Sequence, residues 1–157
     1  MIFLDTMVVV ELLKPSPDPT VFAWAAQAPR TGVCIASVTE GELLFGAEAL
    51  PDGRRKREYR ARLDRYVAEV LGGRVFPFDR AAAAFFAEFA VMRLRAGRTT
   101  ERSDAMTAAT ARARGARLIA TRDFGRFDGC GVSLVNPWDP SGRVLPALRA
   151  LPRTDGP

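Results

Sequence analysis

Residues 1–15 read MIFLDTMVVVELLKP: the apolar run Met1 to Leu4 closes on Asp5, and Thr6 to Leu13 then sets Val8, Val9, Leu12 and Leu13 at helical spacing before Pro15 stops it. This is a strand handing over to a helix through an acid. Working outward, the same alternation recurs. Val21 to Gln27 is a short amphipathic helix, and Gly32 leads into a strand at Val33 to Ala36. Ser37 or Thr39 then caps a helix running through Glu42, Leu43, Leu44 and Ala47. Arg54 to Leu71 is helical, with Tyr59, Leu63, Tyr66, Val67 and Val70 on one side and a basic opposite face, and it ends at Gly72 and Gly73. Val75 to Phe78 reads as a strand and Arg80 to Arg95 as a helix closed by Gly97. Ser103 caps a helix over Asp104 to Arg114, which Gly115 terminates; strands follow at Arg117 to Ala120 and Val132 to Val135. Strands repeatedly separated by helices predict an α/β fold with a mostly parallel sheet of four to five strands, helices on both faces, and a crevice at the carboxyl ends of the strands.

A chain of 157 residues, 48% hydrophobic and 26% charged, is sized for one core. We expect one domain over residues 1–138. The tail 139–157 is rich in Pro, Gly and Arg around one apolar patch, Val144 to Leu151, and is expected to pack loosely or to contact a partner. No apolar run is long enough to cross a bilayer, and acids stand where a signal peptide would be basic, so a soluble, cytoplasmic protein without a membrane segment is expected. Cys34 and Cys130 lie far apart in strand-like stretches and read as buried free thiols.

The chain has no histidine, which excludes Ser-His-Asp and Cys-His relays and any imidazole base or ligand. Chemistry must run on carboxylates, hydroxyls, arginines or a bound ion. Of 23 basic residues only Lys14 and Lys56 are lysine, and a net charge of +5 points to a phosphate-bearing partner that arginine can grip bidentately.

The acids fall where such a fold would use them. Asp5 ends the first strand and Asp123 follows the strand at Leu118 to Ala120, so both belong at the crevice edge. Asp104 sits in the first turn of its helix, where the dipole favours a carboxylate. Glu42 lies one turn into its own helix and Glu40 competes with it; two positions apart is roughly 200° of rotation, so only one can face the crevice, and periodicity does not choose. Converging carboxylates repel unless a cation neutralises them. An all-oxygen set suits a hard ion, Mg²⁺ or Mn²⁺, whose bound water is a competent nucleophile against a phosphodiester. Thr6 and Thr121 flank two of the acids, in position to orient a carboxylate or a metal-bound water.

These pieces together resemble a known family. IFLDTMVVVELL, SVTEGELLFGA, VFPFDRAAAAFFAEFA, SDAMTAATARARGARLIATRDFGRF and VNPW, in that order from about Met1 to Trp138, look like the PIN-domain ribonucleases and, among them, the VapC-type toxins of toxin–antitoxin pairs, closest to the FitB-like branch. The resemblance implies a three-layer α/β/α fold and a divalent-metal-dependent endoribonuclease. It carries over Asp5, Asp104 and, in preference to Glu40, Glu42. Asp123 matches a position that is Asn or Asp in the family, whereas Arg126 stands where many members carry another acid. It implies RNA substrates such as transfer RNA or ribosomal loops, a VapB- or FitA-like antitoxin whose tail often brings an arginine near the metal, contact with operator DNA only through that antitoxin, and a homodimer. Arg98, Arg102, Arg122 and Arg126 cluster in sequence around the acids and are candidates for holding the RNA by its phosphates.

Competing readings are weaker. An aspartyl phosphatase would carry its second acid two residues after Asp5, where Met7 stands, and a receiver domain would need an acidic pair and a late lysine that are missing. A degenerate, non-catalytic module of the same fold is the remaining alternative.

Overall fold

The computed structural model describes residues 1–29 and 32–147. Six strands form one sheet: β1 (Ile2–Leu4), β2 (Val33–Ala36), β3 (Val75–Phe76), β4 (Leu118–Ala120), β5 (Ser133–Val135) and β6 (Val144–Leu145). Between them run α1 (Thr6–Leu12), α2 (Pro19–Gln27), α3 (Ser37–Glu48), α4 (Arg54–Arg65, continued by one π turn at Tyr66–Val70), α5 (Arg80–Arg95), α6 (Arg102–Ala113) and the single turn α7 (Phe124–Phe127). Strand order is β3-β2-β1-β4-β5-β6, parallel throughout except for β6, which runs antiparallel to β5.

The two-residue period of each strand divides the core in two, because successive side chains leave opposite faces. Phe3, Cys34, Ala36, Ile119 and Leu134 face one way and pack with Phe89 of α5, Phe127 of α7 and Ala105, Ala108 and Ala111 of α6. Leu4, Val33, Ile35, Ala120 and Val135 face the other way, against Val8 and Val9 of α1, Leu43 of α3 and Leu63 of α4. The expected α/β/α layering is thus built strand by strand. Each large core side chain so buried contributes about 1.5–3 kcal/mol, and the fifteen-residue opening segment supplies five of them in Phe3, Leu4, Val8, Val9 and Leu13.

The strand count departs from the expected four to five. The sixth, β6, comes out of the tail: Leu145 pairs with Leu134 and Val144 with Val135, closing the outer edge of β5. A two-residue strand is too short to leave a periodic signal. The rest of the apolar patch expected in the tail, from residue 148 on, lies outside the described residues. Two expected caps also differ. Ser37 and Ser103 sit inside α3 and α6, whose N-caps are Ala36 and Glu101 and make no side-chain cap bond; the capping side chains are Asp5 on α1, Asp18 on α2, Asp79 on α5 and Asp123 on α7.

The strand order matters for function. From β1 the chain builds outward through β2 to β3, then returns to β1's other side for β4 and β5, so the connections leaving β1 and β4 diverge and open a crevice at their carboxyl ends.

Candidate active site: an acid-lined cleft at the switch point

Asp5 leaves the end of β1 with its backbone N–H donating to the Ala120 carbonyl at 3.0 Å, which ties it to the end of β4. Its carboxylate is held on both oxygens. The Thr6 backbone N–H donates to Oδ1 at 2.8 Å and the Thr121 hydroxyl donates to Oδ2 at 2.8 Å. The Thr6 hydroxyl in turn donates to Glu42 Oε2 on α3, and Thr121 Oγ1 accepts the Asp123 N–H at 3.1 Å. The two threonines therefore link Asp5 to Glu42 on one side and to Asp123 on the other. Asp104 reaches the same place from the first turn of α6. A buried hydrogen bond between the Thr39 and Thr107 hydroxyls, 3.3 Å, joins α3 to α6 one turn away from Glu42 and from Asp104.

Asp5, Thr6, Glu42, Asp104 and Asp123 all line one cleft of 580 Å³. Asp5 is 7% exposed and Asp104 9%, so two carboxylates are largely withdrawn from water. Burial, with the neighbouring charges of Asp104 and Glu42 adding to it and the Thr121 bond opposing, pushes the Asp5 carboxyl up to about 6. Burial also raises Asp104, against the hydrogen bond from Arg126.

The arginines divide. Arg122 and Arg126 line the cleft; Arg122 lies over the Trp138 ring at 5.2 Å, and Arg126 donates from Nη1 to Asp104 Oδ2 at 3.1 Å while its Nε stands 2.9 Å from Asp123 Oδ2. Arg98 instead pairs with Asp128, and Arg102 is exposed at the start of α6; neither lines the cleft. Glu40 is likewise absent from it. Three lining residues were not among the candidate site residues: Met7, Ser103 and Glu101. Glu101 stands three positions before Asp104, a spacing that shares a helix face and was there to be found.

The donors are oxygen only, two of them buried and crowded by like charge, which is the chemistry a hard divalent cation relieves. Among the described residues no three acids are already closed around one point. Mg²⁺ does not require that, since it takes one or two carboxylates and keeps several waters. The set fits such an ion. A second cavity of 370 Å³ beneath α7, walled mainly by Phe124, Phe127, Val132 and Leu134, has one carboxylate, Asp128, in its lining and no comparable cluster of ligands.

The sequence matches the PIN domain family over residues 2–128, a span holding all four acids. This chain belongs to the PIN-domain family. Within that family it is 38% identical to the VapC ribonuclease Y4jK of Sinorhizobium fredii, over 90% of this chain and all of that protein. It is 34% identical to the toxin FitB of Neisseria gonorrhoeae, over 88% of this chain and 99% of that one. The crystal structure of FitAcB from the same organism superposes with a TM-score of 0.80 over 88% of this chain and 99% of the other. VapBC-5 from Mycobacterium tuberculosis, a member of the VapBC family of toxin–antitoxin systems, gives 0.64 at 26% identity over 85% and 96%. The PIN chain described here is thus a relative of the VapC and FitB toxins along nearly its whole length.

Proposed function

We propose that this PIN-domain chain is a divalent-metal-dependent endoribonuclease, the toxin of a type II toxin–antitoxin pair. The observation that carries the reading is the meeting of Asp5, Glu42, Asp104 and Asp123, from four separate segments, in one cleft at the sheet's switch point. Mg²⁺ or Mn²⁺ held there by Asp5 and Asp104, with Glu42 and Asp123 close by, would supply a water of lowered pKa and a Lewis acid for the phosphodiester. The chain's own residues do the rest. Thr121 and the Thr6 N–H fix the Asp5 carboxylate in one orientation, and the Thr6 hydroxyl fixes Glu42, which is placed to accept a proton. Arg122 and Arg126 present guanidinium groups to RNA phosphates at the cleft; Arg98 and Arg102, outside it, are assigned at most to more distant phosphates.

The nuclease domain is assigned to residues 1–138 and the tail 139–157 to an accessory role. An antitoxin of the VapB or FitA kind is the proposed partner, with operator DNA reached only through it and a homodimer as the working unit in the cytoplasm. Exposed apolar side chains support an assembly: Phe45 on α3 is 76% and Leu94 on α5 77% exposed. Among the described residues no helix is long and apolar enough to cross a membrane.

The ion pairs of Arg126 with Asp104 and Asp123 favour a second reading, a non-catalytic module whose acids are neutralised from within. One assay separates the two. Purified protein is incubated with total cellular RNA in Mg²⁺, in Mn²⁺ and in EDTA, beside Asp5→Asn and Asp104→Asn. Discrete fragments that need metal and vanish in both variants are expected. Intact RNA under every metal, from folded and antitoxin-free protein, would establish the binding module instead.

A further inference from the structure

Arg126 is placed by a short helix that its own partner caps. Asp123 accepts the Arg126 N–H at 3.3 Å, so the turn that seats the carboxylate also aims the side chain. From there the guanidinium uses two different nitrogens, Nη1 on Asp104 and Nε on Asp123, and spans acids that come from α6 and from the end of β4. The planar fork of arginine allows one cation to hold two carboxylates at once. Burial differs sharply across the first pair: the Asp104 side chain is 11% exposed and that of Arg126 51%. The guanidinium thus stands on the open side of a carboxylate that is otherwise buried.

A half-exposed ion pair adds little to folding stability, so a scaffold role accounts poorly for it. It does have a large effect on what else Asp104 can bind. A carboxylate oxygen engaged by a guanidinium is not free for a metal ion, and a fixed positive charge at hydrogen-bond distance opposes a divalent one. We infer that Arg126 is a resident counter-cation of the acid cleft, which competes with the divalent ion for Asp104 and so lowers the metal affinity of the resting protein. This rests on the metal-site reading given above and adds a determinant to it: loading the site requires the guanidinium to let go of Asp104. The Arg122 guanidinium, which shares the cleft and lies over Trp138 instead, is the internal control.

The test is Mn²⁺ binding to the full chain without RNA, followed by the electron paramagnetic resonance signal of free Mn²⁺ and by calorimetry. Arg126→Ala is expected to bind Mn²⁺ about fivefold more tightly than the unaltered protein, the factor that about 1 kcal/mol of a half-exposed ion pair represents. Arg126→Lys should fall between them, because an ammonium keeps the charge but loses the fork. Arg122→Ala should change the affinity less than Arg126→Ala does. Asp104→Asn combined with Arg126→Ala should lose the gain. Melting curves of each variant confirm that folded protein is compared. An unchanged or weaker affinity in Arg126→Ala overturns the inference, as does an equal gain in Arg122→Ala. If neither the unaltered protein nor Arg126→Ala takes up Mn²⁺, the metal site and the counter-cation fall together; if Arg126→Ala binds more tightly and neither protein cuts RNA, only the nuclease reading falls.

Discussion

Asp5 is tolerable in its buried position because each of its oxygens has a donor, one from the next residue's backbone and one from Thr121, across 116 positions of sequence. A carboxylate so held is rigid, and replacing one oxygen by an amide leaves the volume unchanged. Asp5→Asn is therefore expected to remove metal-dependent cleavage while keeping the melting temperature within a few degrees, measured side by side on one preparation. The thiols make the opposite case, buried groups with no chemistry assigned to them. Burial pushes Cys34 up to about 12 and raises Cys130 as well, so both are protonated at neutral pH. In native protein at pH 8 neither should react with a thiol reagent within the minutes in which both react in denaturant; fast labelling of the folded form would show that these positions open. At this scale the sequence was legible wherever position along a strand decided the matter. Asp5 and Asp123 end β1 and follow β4, and they are where that reading put them. It was not legible where rotation decided: two glutamates two residues apart are separated only by how α3 rolls against α6, which no local period reports. Arg98 and Arg102 show the same limit, because nearness in sequence to Asp104 did not become nearness in space.

Two helices deliver acids to the cleft, and their mutual placement depends on the Thr39–Thr107 contact. Both residues are almost wholly buried. Removing one hydroxyl leaves the other without a partner, which costs about 1–3 kcal/mol, whereas removing both leaves two well-packed valines of the same shape. Thr107→Val and Thr39→Val should each lower the midpoint of urea unfolding, and the double variant should recover most of the loss. Additive losses would mean that the hydroxyls act independently. The pair was invisible beforehand since Thr39 read as a candidate cap and Thr107 as an ordinary helical residue. The opening strand and helix, by contrast, could be read almost to their ends, because Pro15 and the valine spacing act locally. The cap assignments failed for the same reason that they looked plausible. Ser37 and Ser103 stand near helix starts, yet α3 grows directly out of β2 at Ala36, and of the four acids that do cap helices two, Asp5 and Asp123, belong to the cleft.

At the scale of the whole molecule, the sheet is finished by a segment that its sequence did not advertise. β6 covers the outer edge of β5 with a two-residue antiparallel pairing, and the Ala147 N–H adds a bond to Ser133 Oγ at 3.1 Å. A chain ending at residue 140 would leave that edge open, and unpaired edges recruit other edges. Light scattering of such a truncation should show association that grows with concentration, while RNA cleavage per folded molecule stays unchanged, as all four acids precede the cut. A strictly monodisperse truncation would show that β6 is dispensable. The order of the strands has one more effect, felt while the chain is being made. β1 sits in the middle of the sheet although it is synthesised first, and one of its two neighbours, β4, comes more than a hundred residues later. A nascent chain on the ribosome therefore carries Asp5 and Glu42 early but has nowhere to assemble them until Asp104, Thr121 and Asp123 have emerged. On the function proposed above, the RNA-cleaving cleft is complete only after the segment carrying Thr121 and Asp123 has been made, a delay set by the order of the strands.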